Sequence, residues 1–148
     1  YHKEIDFYIY AINENKFKGM PCTVKRVSHN LVYEEMKKMD FLLYLSNLDK
    51  DNSHSKYTSP LKIYEYISTL RPILYMPAGD LIEELENTFS IPFKNNKEFK
   101  IGLSKLLSIK DPYNLIKNTY KISEQNTWER RAEKIIDIIN ETHQNINL

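Results

Sequence analysis

"SPLKIYEYISTLRPILYM", residues 59–76, holds a helix and the strand it feeds. Ser59 suits the N-cap, where a hydroxyl can accept from an unpaired backbone N–H. Pro60 suits the first helical position, where its missing N–H has no intrahelical partner to lose. Ile63, Ile67 and Leu70 recur at helical spacing and predict one buried stripe. Arg71-Pro72 ends the helix, and an apolar strand follows. A helix running into an apolar strand is the repeating step of an α/β fold. One carboxylate, Glu65, lies inside this helix and off its apolar stripe.

The flanking sequence extends the alternation. "IDFYIY" (5–10) and "CTVKRV" (22–27) read as strands, and Cys22 as a small buried hydrophobe in the second. The polar connection between them, with Gly19 and Pro21, is short for a parallel crossover, so a hairpin is open as well. A helix follows, with Asn30 as cap and Val32, Met36 and Met39 as its stripe. "FLLYL" (41–45) is apolar throughout, as in a strand covered on both faces. Beyond residue 77, Asp80 with Glu83 and Asn95 with Glu98 stand at capping-box spacing. "FSIPF" (89–93) between them gives a short last strand. The helix after Asn95 is expected to bury Phe99, Leu103, Leu106 and Leu107. Asp111-Pro112 opens another helix. The last opens with Asn126 and Glu129, carries a stripe of Ala132, Ile135, Ile136 and Ile139, and has Trp128 as its core anchor. The expected fold is α/β, one domain over residues 1–148, with a mostly parallel sheet flanked by helices and a helical tail.

Composition narrows the function classes. Lys plus Arg number 21 against 20 Asp plus Glu, a balance that gives no bulk attraction to nucleic acid or to an anionic membrane surface. One cysteine excludes an internal disulfide and points to a reducing, cytoplasmic setting. The four histidines show no metal-ligand spacing, and no apolar run reaches the ~20 residues that span a bilayer. The three glycines, Gly19, Gly79 and Gly102, form neither GxGxxG nor a Walker A loop, so a glycine-cradled phosphate is ruled out.

A ligand in an open α/β sheet sits beyond the carboxyl ends of the strands, near helix amino ends. The polar loop 46–58 leaves such a strand end and delivers the chain to Ser59. The free amides of Leu61 and Lys62, the hydroxyls of Thr58 and Ser59, and the Lys62 ammonium then converge on an anion. The helix dipole alone supplies only ~0.3–1 kcal/mol at an exposed site, so these groups must add to it. Glu65 can accept two ribose hydroxyls, as acidic residues do in other nucleotide folds, or can form a solvated i, i+3 pair with Lys62.

With these residues in place, the segment 59–76 resembles the donor-binding motif of retaining GT-B glycosyltransferases, the group-1 type common in bacterial polysaccharide synthesis. Their motif runs Ser-Pro-hydrophobic-Lys, Glu-Tyr, a small-residue turn, Lys or Arg-Pro and a strand. "VYEEMKKMDFLLYLS" (32–46) is similar to the helix-Asp-strand before their donor loop, and "NTWERRAEKIIDII" (126–139) to their closing segment. The resemblance covers roughly residues 5–142. It implies a Rossmann-like nucleotide-sugar-binding domain for a UDP- or GDP-linked hexose, transferred to a glycan or lipid-linked acceptor without a metal or other cofactor. It further implies that Glu65 holds the donor ribose, that Pro60 and Leu61 face the diphosphate, that the loop after Ser46 approaches the sugar, and that the turn at His29 lies near the base. Tyr57 stands where the family has its other motif glutamate, and Leu70 where it usually has glycine. The chain opens at what would be the family's second strand. The resemblance therefore implies an N-terminal acceptor domain beyond this chain, a donor domain that binds weakly and does not turn over alone, and peripheral membrane association of the full enzyme.

Two rival readings use other features. "LDKD" (48–51) contains the Asp-x-Asp of the metal-dependent glycosyltransferase fold, though Lys50 between the acids opposes a divalent ion. A non-catalytic, flavodoxin-like interaction domain would account for the same strands and caps, but leaves the 59–76 pattern to chance.

Overall fold

The structure, a computed structural model, describes residues 5–11, 14–45, 61–77, 85 and 87–146. It is α/β, with small parallel sheets flanked by helices and a helix at the C-terminal end. The chain divides into two compact units, Tyr1–Lys38 and Met39–Leu148.

In the first unit, β1 (Tyr8–Tyr10) and β2 (Thr23–Lys25) pair in parallel, with Tyr8 opposite Thr23. Their connection, residues 11–22, has about the dozen residues a parallel crossover needs, and it winds through a 3-10 turn, Glu14–Phe17. Gly19 takes a φ of 87° in this connection, which costs glycine nothing. The pairing decides between the two connections the sequence left open. Cys22 is half-buried and precedes β2, its amide donating to the Met20 carbonyl at 2.8 Å, so it is not the buried strand residue expected. Helix α1 (His29–Lys37) starts from Ser28, the last residue with extended backbone, and not from Asn30. Of its stripe, Met36 is buried and Val32 and Met39 are half-buried.

The second unit contains β3 (Leu42–Tyr44), α2 (Lys62–Ser68), β4 (Ile73–Tyr75), β5 (Ser90–Pro92), α3 (Asn96–Ser108), α4 (Tyr113–Gln125) and α5 (Trp128–Ile146). Its sheet has the order β3-β4-β5, all parallel, with Leu43, Leu74 and Ile91 in register. All three residues of β4 are buried. Alternation sends Ile73 and Tyr75 into a cluster with Ile63, Ile67 and Leu85, while Leu74 meets α3. Gly102 makes that second contact close: a Cβ there would lie 3.2 Å from Leu74 and 3.1 Å from Ile91. β3 stands at one end of this strand order, and its apolar run is only partly covered. Leu42 is buried, Leu43 and Tyr44 are half-buried, and Leu45 is 63% exposed. Pro92 lies on the other edge strand, where a missing N–H is tolerated.

The caps follow the sequence with two adjustments. The Asn95 side chain accepts from the amides of Lys97 and Glu98, both at 3.0 Å, while Glu98 accepts from the Lys94 amide at 2.8 Å. Asp111 accepts from the Tyr113 amide across Pro112 at 3.0 Å. Asn126, expected to open α5, instead closes α4, its amide donating to the Ser123 carbonyl. Thr127 caps α5, accepting from the Arg130 amide at 3.3 Å. The box at Asp80 and Glu83 lies outside the described residues. Two burial expectations are corrected. Leu107 is exposed, because the face carrying Phe99, Leu103 and Leu106 turns toward the sheet at Gly102. Trp128 is 72% exposed and rests beside the Arg131 guanidinium, not in the core.

The fully buried Thr119 ties α4 to the start of β5. Its hydroxyl accepts from the Phe89 amide at 2.7 Å and donates to the Leu115 carbonyl at 2.8 Å. Thr119→Val keeps the shape and removes the acceptor from a buried N–H. The expected loss is about 1–3 kcal/mol in urea denaturation; an unchanged stability would show that Phe89 finds another acceptor.

Candidate functional site

The carboxylate of interest belongs to a parallel β-α-β step, β3-α2-β4. α2 forms because Ile63 and Ile67, one turn apart, both bury against β4. The same rotation turns Leu61, Lys62 and Glu65 to solvent. Leu61 already has helical backbone angles (φ −50°, ψ −31°), and its carbonyl accepts from the Tyr64 amide at 3.1 Å. Lys62 and Glu65 stand three residues apart but form no ion pair, so the solvated pairing allowed by their spacing is not made. Among the described residues the Glu65 carboxylate has no hydrogen-bond partner; only its backbone carbonyl is used, by the Ser68 hydroxyl at 2.7 Å. It is therefore available as a hydrogen-bond acceptor.

Two aromatic contacts hold α2. Tyr66 meets Tyr44 of β3 edge-on, with ring centroids 6.4 Å apart and planes at 81°. Burial pushes the Tyr66 phenol above its ordinary pKa, with the nearby Glu65 charge adding to the effect. On the other flank, the Arg131 guanidinium lies 4.2 Å from the Tyr64 ring centre and 5.7 Å from that of Trp128. This stack joins the start of α5 to the helix carrying Glu65. Nothing in the spacing of "TWERRAEK" singles out Arg131, because the contact depends on where α5 lies.

The other expected site residues divide between the two units or fall outside the description. His29 is exposed at the first position of α1, in the first unit; Leu61, Lys62 and Glu65 belong to the second. Ser46, Tyr57, Thr58, Ser59 and Pro60 lie outside the described residues, as do Asp49 and Asp51 of the Asp-x-Asp. Among the described residues no cluster of His, Cys, Asp and Glu has metal-site geometry. No described helix is long and apolar enough to cross a membrane. A shallow hollow of about 350 Å³ is lined by Lys121, Glu124, Gln125, Thr127 and Arg130. Two of its three charges are engaged, Arg130 with Glu133 at 2.8 Å and Glu124 with the Tyr120 hydroxyl at 2.7 Å.

The first unit has a polar cluster that sequence reasoning missed. The Tyr10 hydroxyl donates to Glu35 at 3.2 Å, and the Lys38 ammonium bonds the same carboxylate. Lys38 holds the Glu35 carboxyl below the ordinary glutamate range, with the Tyr10 bond helping, while burial and Glu35 push the Tyr10 phenol up. Glu35 and Lys38 share an i, i+3 spacing that was readable; the tyrosine 25 positions away was not.

Two outcomes follow from this geometry. A carboxyl with a lowered folded pKa stabilises the fold above its unfolded pKa and loses that contribution as pH falls through the folded value. NMR titration of Glu35 is expected to give a midpoint below that of an ordinary glutamate, and Lys38→Ala is expected to raise it. Leu70, just after α2, holds a φ of 59°, in the left-handed region that glycine favours. Leu70→Ile keeps the atoms but branches at Cβ, and is expected to cost about 1–2 kcal/mol in urea denaturation. Compared with known proteins, the chain matches no family model, no curated protein and no solved structure.

Proposed function

We propose that this chain is the donor-binding domain of a retaining GT-B glycosyltransferase. It binds a nucleoside-diphosphate sugar, UDP- or GDP-linked, from which a hexosyl group passes to a glycan or lipid-linked acceptor. The observation that carries the reading is Glu65: an exposed carboxylate, unpaired among the described residues, near the amino end of the helix in a parallel β-α-β step. Ligands of open α/β sheets collect at that end of the sheet. A carboxylate there accepts two vicinal hydroxyls, and a ribose supplies them. Lys62, one turn earlier and also unpaired by Glu65, supplies positive charge toward the diphosphate. The family resemblance adds Pro60 and Leu61 toward the diphosphate and the loop after Ser46 toward the sugar, with Tyr57 at the position of the family's other motif glutamate; the helix-start reading adds the hydroxyls of Thr58 and Ser59. In this reading the acceptor domain of the same enzyme is the partner, the setting is cytoplasmic, and donor binding needs no divalent ion.

Calorimetric titration with UDP, GDP and their sugars tests it. One nucleotide is expected to bind at millimolar concentration or below, with affinity unchanged by EDTA. Glu65→Ala removes two hydrogen bonds to a charged acceptor and is expected to weaken binding about ten-fold or more. No binding of either nucleotide overturns the donor-domain reading. Binding that Glu65→Ala leaves unchanged overturns the ribose assignment, and binding that requires Mn²⁺ or Mg²⁺ favours the Asp-x-Asp.

A further inference from the structure

The largest exposed apolar feature among the described residues is one face of α5. Ile135, Ile136, Ile138 and Ile139 are 58%, 56%, 62% and 49% exposed, and Trp128 is 72% exposed. Scattered exposed isoleucines are ordinary, but four within five residues of one helix make a contiguous patch that a monomer seldom leaves in water.

The pattern along the helix indicates what covers it. Trp128, Ala132, Ile135, Ile139 and Thr142 are spaced by four, three, four and three residues, the alternation of a two-helix seam. No charge occupies these five positions. The charged residues of α5 all lie off the seam, three cations (Arg130, Arg131, Lys134) against four anions (Glu129, Glu133, Asp137, Glu141). This near balance does not suit an anionic membrane or a nucleic acid, both of which select a basic polar face. The occupant that the seam fits is another helix with the same spacing.

We infer that α5 pairs with α5 of a second copy of this chain, antiparallel about a two-fold axis. That arrangement sets Ile135 of one copy against Ile139 of the other and matches the small Ala132 with the small Thr142. Ile136 and Ile138 each approach their own counterparts across the axis. A parallel pair would instead stack Trp128 on Trp128, align the two helix dipoles and leave Ala132 opposite Ala132. Each exposed isoleucine covers roughly 100 Å² and the tryptophan roughly 150 Å². Two copies thus bury about 1,100 Å², just below the ~1,200–2,000 Å² of stable interfaces and in the range of weak, transient pairs. The dimer is therefore one of micromolar affinity, in exchange with monomer. This inference does not depend on the donor-binding reading.

Sedimentation equilibrium of the unmodified chain, from about 1 to about 500 µM, tests it. The expected result is a monomer–dimer equilibrium with a midpoint in that range. Ile135→Lys with Ile139→Lys, both on an exposed face, is expected to give monomer throughout with unchanged circular dichroism. Ile138→Cys in a Cys22→Ser background is expected to form a disulfide-linked dimer on mild oxidation, which is specific to the antiparallel axis. A native chain that stays monomeric throughout overturns the proposal, as does a dimer indifferent to the lysine pair. A monomer that sediments with neutral phosphatidylcholine vesicles also overturns it, and assigns the face to a membrane surface.

Discussion

Strand β4 is the constraint on which the second unit depends. Its three residues are all buried and sit between two parallel neighbours, so neither face can meet water. An apolar strand in that position requires a layer on each side. Side chains alternate along a strand, so Ile73 and Tyr75 define one layer and Leu74 the other. Helix α2 supplies the first through Ile63 and Ile67, and α3 supplies the second by presenting Gly102. Glycine at that point lets the helix backbone approach Leu74 and Ile91 more closely than any other residue would. Thr119 then fixes the entry to β5 by giving a buried amide its acceptor.

The same constraint explains why Glu65 is presented as it is. A helix anchored by two isoleucines a turn apart has a fixed rotation about its axis, and that rotation carries Glu65 to the solvent side. Tyr66 on Tyr44 and Arg131 on Tyr64 then hold the helix from both flanks. Leu70 contributes from the end. Its left-handed backbone turns the chain from α2 into β4, a step for which glycine is the relaxed solution. The strain held at Leu70 is small beside the burial of Ile63, Ile67 and Ile73, so packing prevails over local preference.

Most of the fold was legible because local patterns carry it. Strands β1 to β5, the cap at Asn95 and the Ile63–Ile67 part of the α2 stripe follow from periodicity and cap chemistry, and each lies where those patterns put it; Leu70 instead falls after α2, half-buried, and the cap of α4 is Pro112, one residue past Asp111. The misreadings share a cause: periodicity reports that a helix has an apolar face and is silent on what covers it. Leu107 is out of contact because α3 turns about Gly102, a fact of its packing on β4 and β5. The caps at Ser28 and Thr127 were displaced by one or two residues because several cap-forming residues stand together, and backbone extension chooses among them. Of the candidate site, the exposure of Glu65 was legible from its place off the stripe, whereas the absence of its pairing with Lys62 was not. The Tyr10–Glu35–Lys38 cluster and the Arg131 stack were not, since each joins residues far apart in sequence through the tertiary fold.

α2 and α5 make this limit concrete. α2 is short, carries two isoleucines, and has both fully covered by the core. α5 is longer, carries four between residues 135 and 139, and leaves those four substantially exposed. The difference lies in the strand beside each helix. α2 connects adjacent strands of one sheet, so its apolar face must lie on that sheet. α5 follows a helix, α4, and so does not cross between two described neighbouring strands as α2 does. An amphipathic helix released from that obligation still gains by covering its apolar face, and the nearest equivalent surface is its own.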